Sequence, residues 1–330
     1  MKALQAIIML AVVLNSFRMG LAFEYRLEPR KNAKFLIIRM LTQFLMIPGL
    51  VMLVVWLFRD LVTPYQKMSI LCLGCCPGGV ASTAFAGRLG ADTEKATRIS
   101  AFTVVFSWLF TPALFLLLSL YIDYDSPLFT NHLRTFVSVL AACVTFALVP
   151  LVLGGLLRGQ VFNDDSRQVA LTRLQRILFL LEILTTLATV FLVMPIAKKF
   201  TTRYIVAIGV YLPFLTAAFG LLFATICHWV MLRFCGCCLP EKTDPIEEYK
   251  TFALTAGIQN NRLAMAILVA WSFWNIEDFY CAKAFVHVNI GPALYGLSQL
   301  LTCGLAVLVK QMGARNRLAQ NPVEKEALQS

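Results

Sequence analysis

Two apolar segments of membrane length in this chain are each interrupted by helix breakers and uncharged polar groups. The first holds Cys75-Cys76-Pro77-Gly78-Gly79-Val80-Ala81-Ser82-Thr83. The second holds Thr255-Ala256-Gly257-Ile258-Gln259-Asn260-Asn261-Arg262. In hydrocarbon an unpaired backbone amide or carbonyl costs several kcal/mol, so a broken helix survives there only when buried in protein or lining a cavity. Two such breaks in distant parts of one chain point to the central site of a transporter.

The rest of the chain fits that class. It has 330 residues, 59% of them hydrophobic and 14% charged, where a soluble domain averages about 25% charged. Apolar runs of membrane length recur throughout, so the expectation is an all-α, multi-pass membrane protein. Nine spans are read: 3–23, 35–58, 67–88, 97–121, 132–158, 172–195, 204–232, 247–275 and 284–310, the third and eighth being the broken ones. Pro150 and Pro213 should kink the fifth and seventh. Residues 1–312 then form one transmembrane domain and 313–330 a tail. The first apolar run reads as a retained helix rather than a cleaved signal.

Lys and Arg set the expected orientation. Alternate loops carry 19 basic residues on one side and 8 on the other, with Arg18 and Arg262 inside spans. The richer side is read as cytoplasmic, with the N-terminus outside and the tail inside. Which membrane this is stays open between the plasma membrane and an organelle envelope. The net charge of +11 is this bias and not a nucleic-acid signal; anionic lipid head groups are its partner. In this orientation the two broken helices are antiparallel, as an inverted-topology repeat requires.

The ten cysteines do not suggest a disulfide framework, because most lie inside spans, where a free thiol behaves as a small apolar group. Cys235, Cys237 and Cys238 lie just beyond a helix end and suit reversible palmitoylation. No nucleophile–base pair, metal cluster or phosphate loop is evident, so an enzyme and a resident cofactor are not expected. Arg18 is read as reaching to the interface, and Asp92 as a helix cap.

Five pieces carry a family resemblance: Phe17–Leu21, Gln43-Phe44-Leu45-Met46-Ile47-Pro48, Gly74–Ser82, Thr111-Pro112-Ala113 and Gly257-Ile258-Gln259-Asn260. In this order and spacing the chain resembles the bile acid:sodium symporter family, in its nine-helix form. The resemblance implies a core domain with two crossed discontinuous helices and a panel domain that rocks against it. It also implies transport of an organic anion, such as a bile acid, steroid sulfate or small carboxylate, usually driven by sodium.

Sodium is a hard cation that takes oxygen ligands. By motif position, one family-like sodium site would use Ser82, Thr83 and Ser100. A second would use Gln43, Gln259 and the backbone carbonyls of Ala256 and Ile258, with Thr255 between the two. The family usually has Asn at the Thr83 position and Glu at Thr255, and a small or uncharged residue at Arg262. Half-helix N-termini favour anions, so the amides of Val80 and Ala81, the side chains of Asn260 and Asn261, and Arg262 are the substrate candidates.

Three readings of Arg262 stay open. It replaces sodium or pairs with the substrate anion; it faces an aqueous cavity and leaves a weakened sodium site; or it pairs structurally with Glu182, the one deeply placed acid. Correspondingly, the function is expected to be sodium-coupled symport of an organic anion. The alternatives are a uniporter or proton-linked carrier of the same fold, and a non-transporting sensor or scaffold. An intact polar crossover would favour transport over the last.

Overall fold

The computed structural model describes residues 2–22, 36–37, 39–57, 64–79, 81–122, 132–162, 165–200, 225–226, 245–275 and 282–320. These are nearly all helical. In chain order the helices are α1 (Lys2–Ala22), α2 (Ile47–Leu57), α3 (Pro64–Cys75), α4 (Ala81–Leu89), α5 (Thr93–Ile122), α6 (His132–Ala142), α7 (Val149–Val161), α8 (Asp165–Phe200), α9 (Pro245–Gly257), α10 (Asn261–Asn275) and α11 (Ala282–Gln320). Five stretches are long and apolar enough to cross a membrane: Gln5–Ala22, Arg39–Leu57, Thr93–Leu118, His132–Val161 and Gly291–Gly313. Apart from residues 225–226, the span expected at 204–232, with Pro213, lies outside the described residues, as do the cysteines 235, 237 and 238. So does the end of the expected tail, although α11 continues through its first part to Gln320.

Two helices loosen into a π-helical turn just before a proline. Thr42–Met46 precedes Pro48, and Cys143–Leu148 precedes Pro150. Proline lacks an N–H and cannot bond the carbonyl four residues back. In each case the residue before the proline donates five residues back instead, Ile47 to Thr42 and Val149 to Val144. Single π turns of this kind recur at functional sites, and the first of them contains Gln43.

Helices α1, α7 and α8 form one layer. Its tightest point is the crossing of α1 and α7. A Cβ added at Gly20 would overlap the Leu151 carbonyl, and one at Gly154 the Phe17 carbonyl. Without a hydrophobic drive between helices in lipid, small residues that bring backbones together supply the packing. Helices α3, α5, α6, α10 and α11 pack around the main apolar core, which buries Leu71, Phe115, Leu268, Trp271 and Tyr295. The two groups meet where α1 contacts α10 and where α8 contacts α11.

One end of the molecule gathers the turn between α4 and α5, the start of α9 and the end of α11. The Asp92 amide donates to Thr251 Oγ1 at 3.0 Å, and Lys310 Nζ to the Arg88 carbonyl at 2.9 Å. Asp92 caps α5, its Oδ1 accepting from the Lys95 amide at 2.8 Å.

Candidate functional site

The two sequence breaks meet. Helix α3 ends at Cys75 and α4 starts at Ala81; α9 ends at Gly257 and α10 starts at Asn261. The unwound residues between them pair as a short antiparallel bridge, Gly78 with Gln259. The Gly79 amide donates to the Ile258 carbonyl at 2.7 Å, and the Asn260 amide to the Pro77 carbonyl at 2.9 Å. Groups that would be orphaned in lipid thus satisfy one another. The contact requires glycine, since a Cβ on Gly79 would stand 2.8 Å from the Gln259 carbonyl oxygen.

Side chains finish the job. Thr111 Oγ1 donates to the Cys75 carbonyl at 2.8 Å, Tyr295 Oη to the Gly257 carbonyl at 2.7 Å and Gln299 Nε2 to the Gln259 carbonyl at 3.1 Å. Gln43 Nε2 reaches both the Cys76 carbonyl (2.9 Å) and Gln259 Oε1 (2.7 Å). The crossover is therefore polar and hydrogen-bonded rather than filled with apolar side chains.

The residues expected around a first cation lie together. Ser82 Oγ donates to the Gly79 carbonyl at 2.7 Å and lies 3.0 Å from Ser100 Oγ, with Thr83 buried one position on. Those expected around a second also converge. Gln259 Nε2 donates to the Ala256 carbonyl at 2.7 Å, and the Ile258 carbonyl accepts from Gly79. Thr255 Oγ1 turns back onto its own helix, donating to the Thr251 carbonyl at 2.9 Å. Gln43 Oε1 accepts from Arg39 Nη2 at 3.2 Å. Arg39, near the start of the second expected span, is 1% exposed. Its spacing of one turn ahead of Gln43 is the signal that could have found it.

Next to the crossover is a cleft of about 40 Å³. Gly79, Ala81 and Phe85 line it from the first break, and Gln259, Asn260, Asn261 and Arg262 from the second. Asn15 of α1, Phe179 and Glu182 of α8, and Gln299 of α11 close it. Helices α4 and α10 both begin at this cleft, so two positive dipole ends meet there. Val80, beside Ala81, lies outside the described residues.

Asn260 stands out within this cleft. Its Oδ1 caps α10 by accepting from the Leu263 amide at 3.1 Å. Its Nδ2 is buried and has no hydrogen-bond acceptor among the described residues, in a side chain 2% exposed. Asn261 points elsewhere, donating from Nδ2 to the Pro292 carbonyl at 3.3 Å.

Arg262 is 13% exposed and pairs with Glu182: Nη1 lies 3.4 Å from Oε2, and Nη2 donates to the Glu182 carbonyl at 2.8 Å. Arg18 holds the same carboxylate, with Nε to Oε1 at 2.7 Å and Nη2 to Oε2 at 3.0 Å, and stacks over Phe179 with its guanidinium carbon 5.2 Å from the ring centre. Arg18 therefore does not reach to the interface as expected. A bidentate partner fixes it in the interior, where its two donors match the carboxylate fork. Among the described residues, two guanidiniums share this one carboxylate, one positive charge in excess.

The family model described as the Sodium Bile acid symporter family matches residues 7–203. The chain belongs to that family. A comparison with curated proteins gives no match. The family's members are transporters, and the chain is accordingly a multi-pass integral membrane protein of a transporter family. The matched region includes the first break, Gln43, Arg18 and Glu182. The second break lies beyond it and is joined to it by the hydrogen bonds described above.

Proposed function

We propose that this protein is a secondary carrier of an organic anion, working by alternating access, with the anionic group bound in the cleft beside the crossover. The bridged breaks act as the two crossed discontinuous helices of an inverted repeat. The α1–α7–α8 layer acts as the panel that moves against the rest. The observation that carries this reading is the Asn260 Nδ2 donor, buried without an acceptor between the N-termini of α4 and α10 and beside Arg262. A buried donor left unsatisfied costs about 1–3 kcal/mol, and an incoming carboxylate or sulfate oxygen would remove that cost. The excess positive charge of the Arg18–Glu182–Arg262 group favours a monoanion.

A cavity of about 40 Å³ has room for a few waters, whereas organic ligands occupy pockets of roughly 300 Å³ or more. The layer holding Glu182 must therefore move away from α10 to admit substrate. Separating it exposes Arg262, whose guanidinium then turns from Glu182 to the anion. The polar, hydrogen-bonded crossover supports transport over a scaffold role.

The test is uptake of radiolabelled taurocholate, and separately of estrone sulfate, into proteoliposomes by counterflow. Wild type should exchange at least one of them. Asn260→Leu and Arg262→Gln should each weaken the affinity about 10- to 100-fold, which is the loss of one charge-assisted or buried hydrogen bond. Unchanged affinity in both variants, with folded protein, would remove the cleft as the anion site.

A further inference from the structure

The sodium chemistry expected of this family meets an obstacle at Gln43. Arg39 lies one turn before it, 1% exposed, with Nη2 3.2 Å from Gln43 Oε1. That is the oxygen the second cation would need. The amide is held in this sense from its other end, because Nε2 donates to the Cys76 carbonyl and to Gln259 Oε1. Other oxygens of the crossover lie close by. A methyl group built on Gly78 would stand 3.1 Å from the Thr255 carbonyl oxygen, 3.7 Å from Thr103 Oγ1 and 3.9 Å from Gln43 Oε1. Three helices thus turn oxygens towards one small space at the crossover, and a guanidinium enters its edge.

Charge points the same way. The family resemblance puts a carboxylate at position 255, and this chain has a hydroxyl there, bonded to its own helix. A fixed negative charge is absent where a fixed positive charge has arrived. Arginine stays protonated at any accessible pH, and the Arg39 Nη2 is held by the Gln43 side-chain oxygen. An ion that binds and leaves couples transport to its gradient; one tethered by a side chain cannot leave.

We propose that the Arg39 guanidinium is the resident cation of the second site, taking the place of sodium between Gln43 and the second break. Resting on the carrier reading above, this makes the protein a carrier that needs no sodium at that site. Substrate binding would not wait for the ion.

The experiment is thermal unfolding of the purified full-length protein in sodium chloride and in choline chloride at equal ionic strength. Wild type, Arg39→Lys, Arg39→Met and Arg39→Met/Thr255→Glu are compared, with taurocholate binding in choline measured alongside. In a Ser82→Ala background, which removes the first site, the otherwise wild-type protein and Arg39→Lys should unfold at the same temperature in both salts. The Arg39→Met/Thr255→Glu variant, with the tethered cation gone and a carboxylate supplied, should gain about 5 °C in saturating sodium. A sodium-specific rise in wild type that Gln43→Leu abolishes and Ser82→Ala leaves unchanged would overturn the proposal, even if the double variant did not fold. So would a folded double variant that ignores sodium. Failure of the carrier reading shows elsewhere: no taurocholate or estrone sulfate exchange by wild type, whatever sodium does.

Discussion

Arg262 reaches across from the start of α10 to α8, where its Nη2 donates to the Glu182 carbonyl at 2.8 Å and its Nη1 lies 3.4 Å from the Glu182 carboxylate. The pair spans the boundary between the α1–α7–α8 layer and the rest of the molecule, so it must break if that boundary opens. Arg18 stays with Glu182 on the same layer and keeps the carboxylate compensated when Arg262 leaves.

Glu182→Gln should therefore be the most damaging change in this group. It leaves two buried guanidiniums facing one another with no acid between them. Removing one partner of a buried ion pair costs about 3–5 kcal/mol. Arg262→Gln should cost less, because Arg18 still satisfies the carboxylate. An anionic substrate should recover part of the Glu182→Gln loss by supplying the missing negative charge, and should bind that variant more tightly than wild type because its internal competitor is gone. Thermal unfolding with and without taurocholate measures both effects. Equal losses in the two variants, with no recovery by the anion, would mean that substrate and Glu182 do not compete.

The crossing of α1 and α7 gives a second expectation. Gly154→Leu places carbon where the Phe17 carbonyl already stands, and a backbone cannot rotate out of the way as a side chain can. Overpacking of this kind costs about 1–3 kcal/mol and occasionally more, and here it should lie at the upper end. Gly159→Ala, on the same helix but with open space around it, should stabilise by up to about 1 kcal/mol through helix propensity alone. Comparing the two variants separates backbone contact from propensity. Similar midpoints would show that the layer is not held by this crossing.

The breaks themselves were legible in the sequence because Pro77, Gly78 and Gly79 interrupt one apolar helix, and Gly257 followed by Gln259, Asn260 and Asn261 places a weak helix former and uncharged polar groups inside another. That they meet follows from the interruptions, since each unwound segment supplies the amides and carbonyls the other lacks. The convergence of Gln43 and Gln259 was reachable only through the family resemblance. Arg39 was hidden because charge counting treats any basic residue near a span end as a loop residue. It is buried one turn before the π-helical segment Thr42–Met46, with Nη2 on Gln43 Oε1. Arg18 was misread for a related reason: a snorkelling arginine and one paired with an acid 164 positions away look alike until the fold brings α8 against α1.

Gly79→Ala tests the crossover directly. The new methyl would come within 2.8 Å of the Gln259 carbonyl oxygen, forcing the bridge apart and freeing the Ile258 and Pro77 carbonyls from their donors. Each buried group left without a partner costs about 1–3 kcal/mol. The variant should lose transport and unfold at a clearly lower temperature. A normal midpoint with normal uptake would mean that the two breaks do not need this contact.

Tyr295→Phe is a finer probe, because it removes one hydroxyl and keeps the ring. The hydroxyl satisfies the carbonyl of Gly257 at the end of α9, and the residue is fully buried. Two magnitudes compete. Interhelical hydrogen bonds in membrane proteins average about 0.6 kcal/mol, because the unfolded chain in lipid finds other partners. A buried carbonyl with no alternative costs about 1–3 kcal/mol. The carbonyl of a helix end at a break has no following turn to bond, so the larger value is expected, near 2 kcal/mol, measured as unfolding in a detergent series. A loss near 0.6 kcal/mol would mean that the Gly257 carbonyl finds another donor once the hydroxyl is gone. In that case the second break can rearrange its hydrogen bonds, which a moving cation site needs and a fixed guanidinium at Arg39 does not.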